Sequence, residues 1–172
     1  TEDAGKTWTF SKPIMDPSPL LLGNIQPSFV KKKDGSVMAF MRDNGMPNFV
    51  RTSLSTDNGL TWSNLGQLEI RNPGSSVECI ALKNGHWVLV CNDTTKGRHL
   101  LTAYLSNDEG TTWKWSRPLE SVEPEKGSFS YPSVIQAADG TIHATYSHTL
   151  EGVKGSSIKH ARFNEAWLME PR

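Results

Sequence analysis

The stretch "STDNGLTW", Ser55 to Trp62, packs a hydroxyl residue, an Asp, a Gly, a Thr and a Trp into eight positions. The same order returns as "SNDEGTTW" from Ser106 to Trp113 and as "TEDAGKTW" from Thr1 to Trp8. Its Asp stands at positions 3, 57 and 108, intervals of 54 and 51 residues. A period of that length is the mark of a repeated supersecondary unit. In such a turn the carboxylate accepts backbone N–H bonds, Gly takes positive φ, the hydroxyl ties the ends and the Trp packs down between sheets. The box therefore reads as a folding device, and the alternating oxygen ligands of a calcium loop are absent from it.

A second series runs in phase with the first. Asp34-Gly35, Asn84-Gly85 and Asp139-Gly140 each lie between two apolar runs, the strongest local signal for a β-hairpin. Each unit then divides into strands. "PSFVKK", "SVMAFMR", "FVRTSLS" and "TWSNLGQLEI" form the first, and "VECIALK", "HWVLVCN", "LLTAYLS" and "TWKWSRPL" the second. The third has "PSVIQA", "TIHATYS" and "IKHARFN", with no boxed turn in the closing "EAWLMEPR" and no helical spacing anywhere. The runs "VMAFM" and "WVLVC" are apolar on both faces, as strands sandwiched between sheets must be.

Four antiparallel strands repeated at about fifty residues define a blade of an all-β propeller. A β-sandwich is the competing architecture, but it does not require the box to return in the same place. The expected organisation is a single partial propeller of about three blades. Residues 1–15 would be the outer strand of a preceding blade, 24–70 and 74–120 two full blades, and 127–172 an incomplete one. Open sheet faces would then be closed either by a second copy, as a homodimer completing a six-bladed ring, or by the missing N-terminal half of a longer chain.

Composition narrows the partners. The 172 residues hold 18 basic and 18 acidic side chains, so no net field favours nucleic acid or an anionic membrane surface. Neither a membrane-spanning run nor a charged-then-apolar leader is present in the sequence, and the first residue is Thr, consistent with an upstream region removed. Cys79 and Cys91 read as core thiols. The compartment stays open between secreted, periplasmic and cytoplasmic.

Function has to come from positions where the repeats differ. Nine residues before each hairpin Gly stand Gln26, Ser76 and Tyr131, at the entrance of the innermost strand. Two residues further in are Ser28, Glu78 and Ser133. Seven residues after each Gly, Arg42, Asn92 and Ser147 lie at the end of the antiparallel second strand, beside that entrance. All nine gather on one rim, at the mouth of a central channel.

The pattern S/T-x-D-x-G-x-T-W resembles the Asp-box, or BNR, repeat of the sialidase (neuraminidase) superfamily of six-bladed propellers. "IQPSFVKKKDGSVMAFMRD", "SVECIALKNGHWVLVCND" and "FSYPSVIQAADGTIHATYSH" are similar to segments of its bacterial neuraminidase-like branch, so the likeness covers nearly the whole chain. The resemblance implies an exo-acting, retaining glycoside hydrolase working without cofactor or metal on a carbohydrate with a terminal sugar, acidic or neutral. It places Tyr131 at the nucleophile's position and Glu78 at that of the Glu that activates it. Arg42, Arg51 and Arg98 become candidates for gripping a substrate carboxylate, and Gln26, Asn92 and His148 for lining the same rim. Where the family has an Arg after the catalytic Glu, this chain has "VCND", with Asn92 or Asp93 in its place. The family's acid/base Asp has no counterpart here. The other class implied is a non-catalytic Asp-box module that binds glycan or protein at that rim.

Overall fold

A computed structural model describes residues 1–15, 23–44 and 48–171; position 172, the expected end of the third unit, lies outside them. Eleven strands form three antiparallel sheets among these residues. The first contains β1 (Asn24–Lys31), β2 (Val37–Asp43), β3 (Phe49–Ser55) and β4 (Gly66–Arg71), in that spatial order. The second repeats it with β5 (Glu78–Ala81), β6 (Trp87–Asn92), β7 (Leu100–Ser106) and β8 (Trp115–Ser121). The third holds β9 (Gly127–Gln136), β10 (Ile142–Leu150) and β11 (Ser157–Phe163). Each sheet is a propeller blade, and the first strands β1, β5 and β9 adjoin one another in sequence around the inner side.

The three hairpins are built alike. Lys32, Leu82 and Ala137 donate backbone N–H bonds to Ser36, His86 and Thr141 at 2.7 to 2.8 Å, closing the first hairpin of each blade. Asp34, Asn84 and Asp139 accept from the backbone two residues on, at 2.9 to 3.0 Å, and the Gly that follows each sits at φ near +90°. No β-branched residue fits that conformation without strain.

Strand β6 explains the doubly apolar runs. Trp87, Leu89 and Cys91 face the first blade, packing with Val30, Phe40, Val50 and Ile70. The alternate residues Val88 and Val90 face the third blade and meet Phe129, Val134, Ile142, Ala144 and Tyr146. Period-two alternation thus supplies two cores from one strand, each fully buried aliphatic side chain contributing about 1.5–3 kcal/mol. Polar pins cross the same seams. The Ser28 hydroxyl donates to the Cys79 carbonyl (3.2 Å) and accepts from the Cys79 N–H (3.0 Å), while Lys33 N–H reaches Glu109 and Lys83 N–H reaches Gln136, both at 2.8 Å.

Two expectations need correction. Residues 1–15 form the boxed turn but no strand; the stretch after Trp8 meets the first blade through one backbone bond, Lys12 N–H to the Leu60 carbonyl at 3.3 Å. It lies against the Asp57 corner and pairs with no described strand. The closing residues contain a helix, α1 (Glu165–Met169), where no helical spacing was read. Asn164 caps it by accepting from Trp167 N–H at 2.9 Å. Its anchors are buried Leu168, Trp167 against Phe163, and Arg117 of β8, which lies over the Trp167 ring and donates to the Trp167 carbonyl at 2.6 Å.

Candidate active site

At the entrance of the first strand, Gln26 and Tyr131 share an unusual backbone, φ +55° and +54°, each immediately before a proline. The ladder slips there: Gln26-Pro27 faces one residue of β2, and Tyr131-Pro132 one residue of β10. This is a β-bulge, and placing a proline in it sacrifices no ladder N–H. A residue before proline ordinarily stays extended, so the left-handed conformation stores about 1–3 kcal/mol of strain and turns the side chain outward. Tyr131 is accordingly 49% exposed although it belongs to an inner strand. The third member of the set, Ser76, has no bulge; it is buried, and its hydroxyl lacks a hydrogen-bond partner among the described residues.

The charges around Tyr131 come from two other blades. Hydrogen bonding from Arg98, then from Arg42, pulls its phenol below the ordinary value, and the Arg98 charge adds to the effect. The Arg98 guanidinium also lies 5.4 Å from the ring centroid. Arg42 comes from the end of β2, opposite Ile25, and its Nε is buried with no hydrogen-bond partner among the described residues. Glu78 opens β5, the strand between β1 and β9. Burial raises its carboxyl above the usual range, and hydrogen bonding with Ser28 opposes part of that rise.

The remaining candidates sit elsewhere or do other work. Arg51 is buried, its Nε paired with Asp43 at 2.7 Å and Nη1 reaching Gln67 at 3.4 Å, so its charge is already partnered inside the protein. Asn92 is wholly buried and hydrogen-bonded to Ser75, Arg98, Leu100 and Phe129, and Asp93 pairs with Arg71 at 3.0 Å. His148 lies between the second and third blades, tilted on Phe129 (5.1 Å between centroids) with Nε2 4.0 Å from Glu120. That Glu120 already holds Tyr146 and Lys159, each at 2.5 Å. Gln26 is exposed in its bulge. Sequence reasoning passed over Ser75, whose hydroxyl donates to Asn92 at 2.6 Å; nothing in its spacing marks it. Among the described residues no group of three or more His, Cys, Asp or Glu is placed to hold a metal ion.

The boxed corners complete the picture. Asp3, Asp57 and Asp108 each accept from the hydroxyl two residues before, and from both the backbone N–H and the hydroxyl of the Thr four residues after, over 2.5 to 3.0 Å. Four-stranded antiparallel blades with such corners, around an inner strand entrance carrying Tyr, Glu and Arg, define a propeller of the sialidase type. The chain belongs to the BNR repeat-like domain family, which matches residues 1–144. It is 24% identical over 178 positions to a sialidase from Micromonospora viridifaciens, covering 98% of this chain and 25% of that protein. The intramolecular trans-sialidase of Ruminococcus gnavus, solved with oseltamivir carboxylate, superposes with a TM-score of 0.81 at 20% identity, over 100% of this chain and 38% of that one. A leech intramolecular trans-sialidase with 2,7-anhydro-Neu5Ac gives 0.78 at 20% identity, over 98% and 27%. The chain thus spans about a quarter of the length of its curated relative, and the structural likeness is one of fold.

Proposed function

We propose that this chain carries part of the active site of a sialidase-like glycoside hydrolase acting on a terminal, acidic sugar. The carrying observation is the rim arrangement of an exposed Tyr131, strained outward, under two guanidinium groups, with the raised carboxyl of Glu78 on the neighbouring inner strand. Tyr131 Oη attacks the anomeric carbon as the bond to the leaving oxygen breaks, and its proton passes to Glu78. Water then displaces Tyr131 from the glycosyl intermediate, giving net retention; the water's proton goes to the group that protonated the leaving oxygen, and the phenol recovers its proton from Glu78. The acid that protonates the leaving oxygen is not among Tyr131, Glu78, Arg42 and Arg98. Arg98 and Arg42 stabilise the developing tyrosinate and hold the sugar's carboxylate. No cofactor enters this scheme.

A fluorogenic sialoside offered to the chain and to Tyr131→Phe tests the reading. Turnover lost in the variant supports it, and equal background rates in both overturn it. The second reading, a glycan-binding module without turnover, is favoured by the commitment of Arg51 and Asn92 to internal contacts, which leaves two guanidinium groups for an anion. Sialoside binding retained by Tyr131→Phe, with no turnover by either protein, is its signature. Further blades would sit on the outward faces of the sheets, where Ile135 and Ile158 of the third and Phe29 of the first are more than half exposed. We assign them to a second copy closing the ring by twofold symmetry. A dimer mass in light scattering supports that, and a monomer gives the faces to other segments of a longer chain.

A further inference from the structure

Asn92 is the last residue of β6, in a position with no exposure to solvent. Its Nδ2 donates to the carbonyls of Leu100 and Phe129, both at 2.9 Å, with the Arg98 carbonyl at 3.4 Å, and its Oδ1 accepts from the Ser75 hydroxyl at 2.6 Å. These partners are not a random sample of the interior. Arg98 itself carries the guanidinium over the Tyr131 ring, Phe129 lies two residues before Tyr131, and Ser75 lies three before Glu78. The Phe129 N–H closes the same knot by donating to the Arg98 carbonyl at 2.8 Å. Behind Ser75, the buried Asn72 side chain accepts from Gly74 and Ser75 N–H and donates to the Ser75 carbonyl, so the segment leading into Glu78 is fixed as well.

We infer that Asn92 is the positioning residue of this site, its single carboxamide fixing the Arg98 segment, the strand that bears Tyr131 and the approach to Glu78 relative to one another. A carboxamide suits this because it offers donors and an acceptor in one rigid plane, which neither a carboxylate nor a guanidinium does. The carbonyls of Leu100 and Phe129, deprived of this donor, would relax toward other partners, and the contact between Arg98 and Tyr131 would open with them. Asn92 touches no reacting atom in this scheme and acts through Arg98 and Tyr131. The inference takes Tyr131 as the reacting group of the proposed site, but its test reads geometry and needs no turnover, so the two ideas can fail separately.

The chain has three tyrosines, which makes that geometry visible in a spectrophotometric titration. Burial pushes the phenols of Tyr104 and Tyr146 up, leaving Tyr131 as the one that ionises first. Tyr131→Phe should abolish this early transition and so assign it. Arg98→Ala should move it up toward the ordinary phenol value of about 10. Asn92→Ala should move it in the same direction, and the double variant should go no further than Arg98→Ala alone, because both changes remove one contact. A folded Asn92→Ala with lowered stability and an unmoved titration would make Asn92 a structural residue only and overturn the inference. If Asn92→Ala does not fold, Asn92→Leu decides: it keeps the volume and removes the Nδ2 donors, and an upward shift supports the inference while an unchanged titration refutes it.

Discussion

The outer corners and the inner rim of the blades obey opposite rules. At the corners the sequence repeats and the geometry repeats with it. The residue after each Asp, which is Ala4, Asn58 or Glu109, lies at φ +55° to +58°, the Gly follows at +79° to +87°, and the carboxylate makes the same set of bonds. At the rim the backbone repeats in only two of three blades while the side chains differ throughout: Gln26, Ser76 and Tyr131. Even burial is secondary at the corners. Trp8 is 64% exposed beside a fully formed box, whereas Trp113, in the same place, packs on Phe40 at 6.1 Å. The box is thus satisfied by its own eight residues, whereas the rim draws its partners from three blades.

The largest expected effect lies at the rim. Tyr131→Phe should lower sialoside turnover by about a thousandfold or more with an unchanged thermal midpoint, since it removes the attacking oxygen alone. Arg51→Ala should cost about 3–5 kcal/mol by leaving Asp43 buried without its guanidinium. Urea unfolding measures it; unaltered stability with lost sugar binding would return Arg51 to the rim and break the division. Trp113→Ala should cost about 3 kcal/mol through the cavity it leaves. Asp108→Ala should cost about 1 kcal/mol, as for a lost helix cap, because the carboxylate is only partly buried. Hydrogen bonding to Thr112, first through its hydroxyl and then its N–H, holds Asp108 at about 2, below its unfolded value near 3.8. Its contribution is therefore complete above pH 4 and lost as pH falls toward 2. Melts of wild type and variant should converge across that window. The smallest effect is Trp8→Ala, within about 0.5 kcal/mol; a larger loss would mean that the first corner is packed as the others are.

The corners and hairpins were legible because each is a local motif whose Gly and Asp have one physical use. The two-faced core of β6 was legible from an unbroken apolar run. Helix α1 escaped because five residues are too few to show a period, and because its signals, the Asn164 cap and the Arg117 contact, become meaningful only in place. The outward turn of Tyr131 was hidden by Pro132, which predicts extended backbone for the residue before it. Counting from the hairpin glycines paired Tyr131 with Arg42, whose guanidinium acts on the phenol. It could not separate Arg98, which faces the phenol, from Arg51, which is tied to Asp43, nor reveal that Asn92 bonds to Phe129 across 37 residues.

The Ser28 hydroxyl, bonded to both the carbonyl and the N–H of Cys79, imitates a strand partner across a gap that no strand could bridge. The first hairpin is hooked to the second blade through Glu109 and the second hairpin to the third blade through Gln136, so the seam between the first two blades is fastened at its narrow edge and again at its hairpin end. A blade fastened at two points along a seam cannot pivot on its neighbour. It behaves as a wedge of set angle, so the angle between these neighbouring blades is decided by side chains at their seam.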